Sequence, residues 1–110
     1  LRDSFEALRA TDAKVDQLIA IGGGTGSRYW LRLIATVLGV PLLLPGGSEF
    51  GAALGAARLG MAAATGTSPE QLMTAPEIRE TIEPDQSLRA AYDSAYLAFR
   101  AAYPGIKSVQ

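Results

Sequence analysis

Leu18-Ile19-Ala20-Ile21 is a short apolar run that stops on Gly22-Gly23-Gly24, and after Thr25-Gly26 a second apolar pattern begins at helical spacing. A strand that empties into a glycine turn and then a helix dictates a layered fold, because the strand needs neighbours and the helix must fold back over them. Read outward from the turn, the strand spans about Gln17 to Ile21. Ser27 is placed to cap a helix from about Arg28 to Leu38, in which Trp30, Leu31, Ile34, Val37 and Leu38 form an apolar stripe and Gly39 supplies a left-handed stop. Trp30 is expected in the core, with contact to a ligand on the turn left open by its place just after it; Arg28, Arg32 and Thr36 are expected to face outward.

Val40 to Leu44 is a second apolar run between Pro41 and Pro45, without polar alternation, which predicts a strand covered on both faces with Pro41 at its first position. Gly46 and Gly47 then turn the chain into a helix that starts near Ser48 or Glu49 and reaches about Ala64. Glu49, in the first turn, suits the positive end of the helix dipole and is read as a cap partner rather than a general base or magnesium ligand. This strand, helix, strand, helix order predicts an α/β layer. Two strands do not make a stable sheet, so the remaining strands are expected elsewhere.

The flanking segments read more simply. Leu1 to about Asp12 has the pattern of a helix with Phe5 and Leu8 on one face. Gly66 to Asp85 is a connector rich in Thr, Ser, Pro and Glu, with a short helical turn at Ser68-Pro69-Glu70. A last helix follows Pro84, repeats Leu88, Tyr92, Ala95, Tyr96, Phe99 and Tyr103 at three- and four-residue spacing, and is expected to stop at Pro104-Gly105. Its aromatic face is the expected docking face.

Composition removes several function classes. The chain has 110 residues, enough for one compact unit or part of one, and a formal net charge of -1, which leaves no electrostatic footprint for nucleic acid or an anionic membrane. Without cysteine or histidine there is no disulfide, no thiolate metal site, no imidazole proton shuttle and no catalytic triad. The longest apolar stretch, Phe50 to Ala64, contains Arg58, is mostly glycine and alanine, and is too short to span a bilayer. No basic leader with a cleavage pattern precedes Leu1, so a soluble, cytoplasmic protein is expected. Leu1 is no initiator, and the chain is expected to be cut from a longer one.

The glycine turn carries the chemistry. Glycines let a ligand approach the backbone, the first amides of the following helix can donate to ribose or phosphate oxygens, and a surface without side chains suits a flat adenine. A dinucleotide fingerprint fits poorly: counted from Gly22 its third glycine falls on Ser27, and counted from Gly24 on Tyr29. A phosphate loop is excluded because no Gly-Lys-Ser or Gly-Lys-Thr follows. A turn that carries no ligand stays open as an alternative. The other unusual segment is Gly51-Ala52-Ala53-Leu54-Gly55-Ala56-Ala57-Arg58-Leu59-Gly60, where each interior glycine costs about 1 kcal/mol against alanine. Close approach to another backbone or to the glycine turn would explain them, and so would tight packing without a ligand.

Taken together, Ile21 to Trp30 followed by Gly51 to Leu59 resembles the end of the C-terminal domain in the FGGY family of carbohydrate kinases, and the tail from Ile82-Glu83-Pro84 through the tyrosine-bearing helix is similar too. The resemblance implies an α/β fold, the C-terminal portion of an actin-like (ribonuclease-H-like) ATPase domain, with residues 1–110 forming one partial domain. It implies ATP and Mg2+ as cofactors, with Gly22, Gly23, Gly24, Thr25 and Ser27 as the nucleotide-binding residues. Gly23 and Ser27 fall where relatives contact the nucleotide; the second place is often asparagine, and serine keeps a hydrogen-bonding group with shorter reach. The implied reaction is transfer of the ATP γ-phosphate to D-xylulose to give xylulose 5-phosphate. The catalytic aspartate and the phosphate-cradling loops would lie upstream of Leu1, so this chain is expected to contain no catalytic residue and no metal site, and to be inactive alone. The implied partners are ATP or ADP, a sugar reached through the N-terminal part, and a second copy in a homodimer, with no nucleic acid and no membrane. A kinase of another sugar in the family, or a structural or assembly domain of actin-like fold, remains open as an alternative.

Overall fold

The structure, a computed structural model, describes residues 1–47 and 51–107; the expected cap at Ser48 or Glu49 lies outside the described residues. Helix α1 (Arg2–Arg9) leads to strand β1 (Leu18–Ile19), a 3-10 turn (Gly23–Gly26) and helix α2 (Arg28–Leu38). Strand β2 (Leu42–Pro45), helix α3 (Gly51–Thr65), the short helix α4 (Pro69–Leu72), strand β3 (Ile78–Ile82) and helix α5 (Arg89–Lys107) complete the order. The α/β layering is thus present.

The sheet runs β1-β2-β3. β1 is parallel to β2, with Leu18 opposite Leu42, while β3 is antiparallel to β2, with Ile82 opposite Leu42 and Ile78 opposite Pro45 across a register shift after Leu44. β1, α2 and β2 therefore form a parallel crossover unit, which places α2 over one face of the sheet. Leu18 N donates to Pro41 O at 3.1 Å, and pairing continues one residue beyond the C-terminal end of β1, Ala20 N donating to Leu43 O at 2.9 Å.

The core follows from the stripe on α2. Leu31 and Ala35 are buried against Leu42 and Ile82, with Leu18, Ala20, Ile34 and Leu44 packed around them. Leu38, one turn further on, joins Val40 and Phe5 in a second cluster that brings α1 onto the end of α2. Each fully buried Leu, Ile or Phe contributes about 1.5–3 kcal/mol, so these few side chains carry most of the favourable folding energy. α1 is also tied to α5: Arg2 meets Asp93 at 2.7 Å and lies 4.4 Å over the Tyr96 ring, and the Tyr96 hydroxyl donates to Asp3 Oδ1 at 2.6 Å.

Several expectations need correction. The connector from Gly66 to Asp85 contains β3, so the third strand lies within this chain and not elsewhere. Thr36, expected outside, is 1% exposed, because its Oγ1 accepts the Asp85 amide at 2.9 Å and donates to Arg32 O at 2.7 Å. Trp30, expected in the core, is 48% exposed, since it occupies the first turn of α2 beyond the edge of the sheet. α5 does not stop at Pro104 but continues to Lys107; a proline there deletes one amide, and the carbonyl of Arg100 that loses it belongs to an exposed residue open to water. Of the aromatic face of α5, Tyr92 and Tyr96 are half-buried, while Phe99 and Tyr103 are exposed. Likewise Leu8 stays exposed and only Phe5 of α1 is buried.

Candidate functional site

β1 delivers the chain to Gly22, whose φ of 97° is closed to residues with a side chain and swings the backbone away from the sheet. The next four residues close a 3-10 turn: Gly22 O accepts from Thr25 N at 3.0 Å and from Thr25 Oγ1 at 2.7 Å, and Ser27 N donates to Gly24 O at 3.2 Å. Ser27 then caps α2, its Oγ accepting from Trp30 N at 3.3 Å. The Thr25 hydroxyl therefore shapes the turn from inside. The Ser27 oxygen accepts, which leaves its proton to donate outward.

The residues expected to bind a nucleotide stand together in this one turn. Gly23, Gly24 and Ser27 are exposed and Gly22 and Thr25 half-buried. A Cβ placed on Gly23 or Gly26 would meet no described atom within 4 Å, so open space stands over that backbone. At Gly24 it would sit 3.4 Å from Trp30 Cδ1, so the indole edge walls one side of the turn. A mostly apolar pocket of about 280 Å³ runs from Leu1 and Leu42 past Leu18 and Ile34 and reaches the turn at Gly24, Thr25 and Trp30; Gly22, Gly23 and Ser27 do not line it. The turn itself offers amides, carbonyls and one outward hydroxyl, with no carboxylate. That arrangement can hold a flat polar ligand by its edge, and it holds no general base. Among the described residues no group of three or more acidic side chains stands together to hold a metal ion.

The small-residue helix meets the strand before the turn at one point. A Cβ on Gly51 would lie 2.9 Å from Ile21 Cδ1, an approach to a side chain and not, as expected of this segment, to another backbone or to the glycine turn. Gly55 and Gly60 do not share it: no described atom lies within 4 Å of a Cβ on either. A second pocket, of about 170 Å³, opens between Ile21, Gly46, Gly47, Gly51, Leu54 and Arg58 on this side.

On the other side of α2, Arg28 and Arg32 face outward as expected, and what sequence reasoning missed is that this face receives the tail: Arg28 Nη2 donates to Glu80 Oε2 at 2.9 Å, Arg32 Nη2 to Asp85 Oδ2 at 3.3 Å, and Arg89 Nη1 to Thr36 O at 3.4 Å. Hydrogen bonds from the Ser87 hydroxyl and amide, aided by the charge of Arg32, hold the Asp85 carboxyl below the usual aspartate range. The spacing of 28, 32 and 36 was the available signal, since residues four apart share a helix face.

Comparison with known proteins gives this geometry a family. Residues 1–64, more than half of the chain, match the C-terminal domain of the FGGY family of carbohydrate kinases. The crystal structure of a xyloylose kinase from Brucella ovis superposes with a TM-score of 0.81 at 48% identity, over 99% of this chain and 22% of that one. A xylulose kinase of Escherichia coli (strain K12) is 34% identical over 107 residues, covering 94% of this chain and 22% of its own length. A xylulose kinase of Klebsiella pneumoniae is 39% identical over 59 residues, or 54% of this chain and 12% of the relative. The fold of this chain is that of the corresponding segment of these kinases, and it spans about a fifth of their length.

Proposed function

The chain belongs to the FGGY family of carbohydrate kinases, and on that premise we propose that residues 1–110 are the C-terminal part of the nucleotide-binding domain of an ATP-dependent kinase of D-xylulose, with Gly22, Gly23, Gly24, Thr25 and Ser27 forming its adenosine-binding turn. The single observation that carries the reading is the open backbone of that turn, where Gly23 and Gly26 face free space beside the Trp30 edge. The names of the similar kinases support the choice of sugar.

In this reading the chain's own residues bind and orient. Gly22 sets the reversal, Thr25 locks it, Gly23 and Gly24 admit the flat base, and Ser27 holds the start of α2 while donating its hydroxyl proton toward the ligand. ATP supplies the phosphoryl group. Phosphoryl transfer depends on positioning and on charge stabilisation around the γ-phosphate, and this reading assigns catalysis and Mg2+ binding to the remainder of the kinase. Its other partners are ADP, the sugar and a second kinase subunit, and its place is the cytoplasm; no helix of the described residues is long and apolar enough to cross a membrane.

A structural reading has one observation in its favour: Gly51 is spent on packing against Ile21. The two readings separate on ADP release from the full-length protein supplied with ATP, magnesium and a panel of pentuloses and hexuloses, beside the 110-residue chain alone. Turnover of xylulose by the full-length protein and none by the short chain supports the proposal. Turnover of a different sugar moves the substrate, and no turnover on any sugar favours the structural reading.

A further inference from the structure

Three attachments run in the same order along α2 and along the tail. Arg28 meets Glu80, Arg32 meets Asp85, and Thr36 takes the Asp85 amide. The first differs from the others in geometry and in place. Arg28 uses both terminal nitrogens on both Glu80 oxygens, with Nη2 to Oε2 at 2.9 Å, and it is the residue directly after Ser27.

We infer that the Arg28–Glu80 pair is a positioning device that fixes the glycine turn for nucleotide, a role that rests on the nucleotide-binding reading above. α2 is held to the sheet by Leu31, Ala35 and Leu38, and apolar contact of this kind is non-directional and does not fix the helix start against a small slide or rotation. A two-pronged guanidinium–carboxylate pair has one geometry, and it fixes both. α2 also opens with an arginine and has no acidic residue in its first turn, an arrangement its dipole disfavours; Glu80 brings the missing carboxylate from β3. The Arg28 side chain is 76% exposed, so the pair adds little to global stability, and its effect falls on position. A shift of the first turn of α2 carries Ser27 and Trp30 together and moves the Trp30 edge, one wall of the glycine turn, away from Gly24.

The test uses the full-length kinase with Glu80→Gln and with the exchanged pair Arg28→Glu/Glu80→Arg. Amide hydrogen exchange is read at 22–27 without nucleotide, the KM for ATP is read against the KM for sugar, and the melting temperature is followed. The single variant is expected to accelerate exchange at the turn and raise the ATP KM roughly two- to fivefold, with sugar KM and melting temperature nearly unchanged, and the exchanged pair is expected to restore both. Unchanged turn exchange in Glu80→Gln overturns the inference, as does faster exchange spread through the chain with a matching fall in melting temperature. If the unmodified kinase neither turns over nor binds ATP, the nucleotide reading falls, while exchange at the turn without nucleotide still decides whether the pair positions it.

Discussion

Helices α2 and α3 each follow a strand and a run of glycines in the sequence, yet the chain treats them differently. α2 packs apolar side chains on the sheet and polar ones on the tail, so that Leu31, Ala35, Thr36 and Leu38 are all buried within 11 residues. α3 has 15 residues and buries none of those described; Leu54, Leu59 and Met61 are exposed. The difference is written in side-chain size. α2 alternates large apolar and long polar groups at helical spacing, which gives it one inside and one outside, whereas α3 is glycine and alanine nearly all round and suits close packing on several sides.

The largest effect that can break this comparison is a cavity. Leu31→Ala is expected to lower stability by about 3 kcal/mol, against less than about 0.5 kcal/mol for Leu59→Ala, both by denaturant unfolding. Equal losses would mean that α3 is held as tightly as α2. Next comes the polar side of α2: Thr36→Val strips the acceptor from the Asp85 amide and is expected to cost about 1–2 kcal/mol in the same assay.

Two glycine substitutions sharpen the contrast with opposite signs. Gly39 ends α2 at φ 73°, and a Cβ there would lie 1.5 Å from Arg89 Nη1, so Gly39→Ala is expected to destabilise by about 1 kcal/mol or more. Gly55 has no described atom within 4 Å of a Cβ, and Gly55→Ala is expected to stabilise α3 by up to about 1 kcal/mol. A loss at Gly55 in the full-length protein would place a close neighbour against that face.

The smallest effect is the response to acid. Asp85 is held low first by the Ser87 hydroxyl, and Asp93 by a hydrogen bond from Arg2, so both carboxyls have lower affinity for protons folded than unfolded. Their contribution is complete above the ordinary aspartate value of about 3.9 and is lost as pH falls through the lower folded values. Denaturant midpoints compared at pH 7 and pH 3 should fall with acid, and Asp85→Asn should flatten part of that fall.

What the sequence made legible was local. Ser27 as cap, Gly39 as stop and the stripe through Leu31 and Leu38 depend on residues within a turn or two of each other. β3 was hidden because Arg79 and Glu80 give it the look of a solvated connector, although Pro76 and Pro84 bracket β-branched Ile78, Thr81 and Ile82; its pairing with β2 is a long-range fact. On the polar face of α2 the outward setting of Arg28 and Arg32 was legible, but the burial of Thr36 and the partners of all three were not, since those partners lie about 50 residues away. The glycine turn was visible as a unit; the indole edge beside Gly24 was legible only as an alternative, from the place of Trp30 just after the turn, because the stripe pattern assigns that residue to the core.

The most direct test of the nucleotide turn is the ATP affinity of Gly23→Val in the full-length kinase, read together with its melting temperature. A side chain at Gly23 would meet no described atom of this chain, so none of the described residues rejects it, whereas a ligand lying on that backbone would be pushed away. The account predicts a large loss of ATP affinity with little change in melting temperature; unchanged affinity, or a fall in both together, would contradict it.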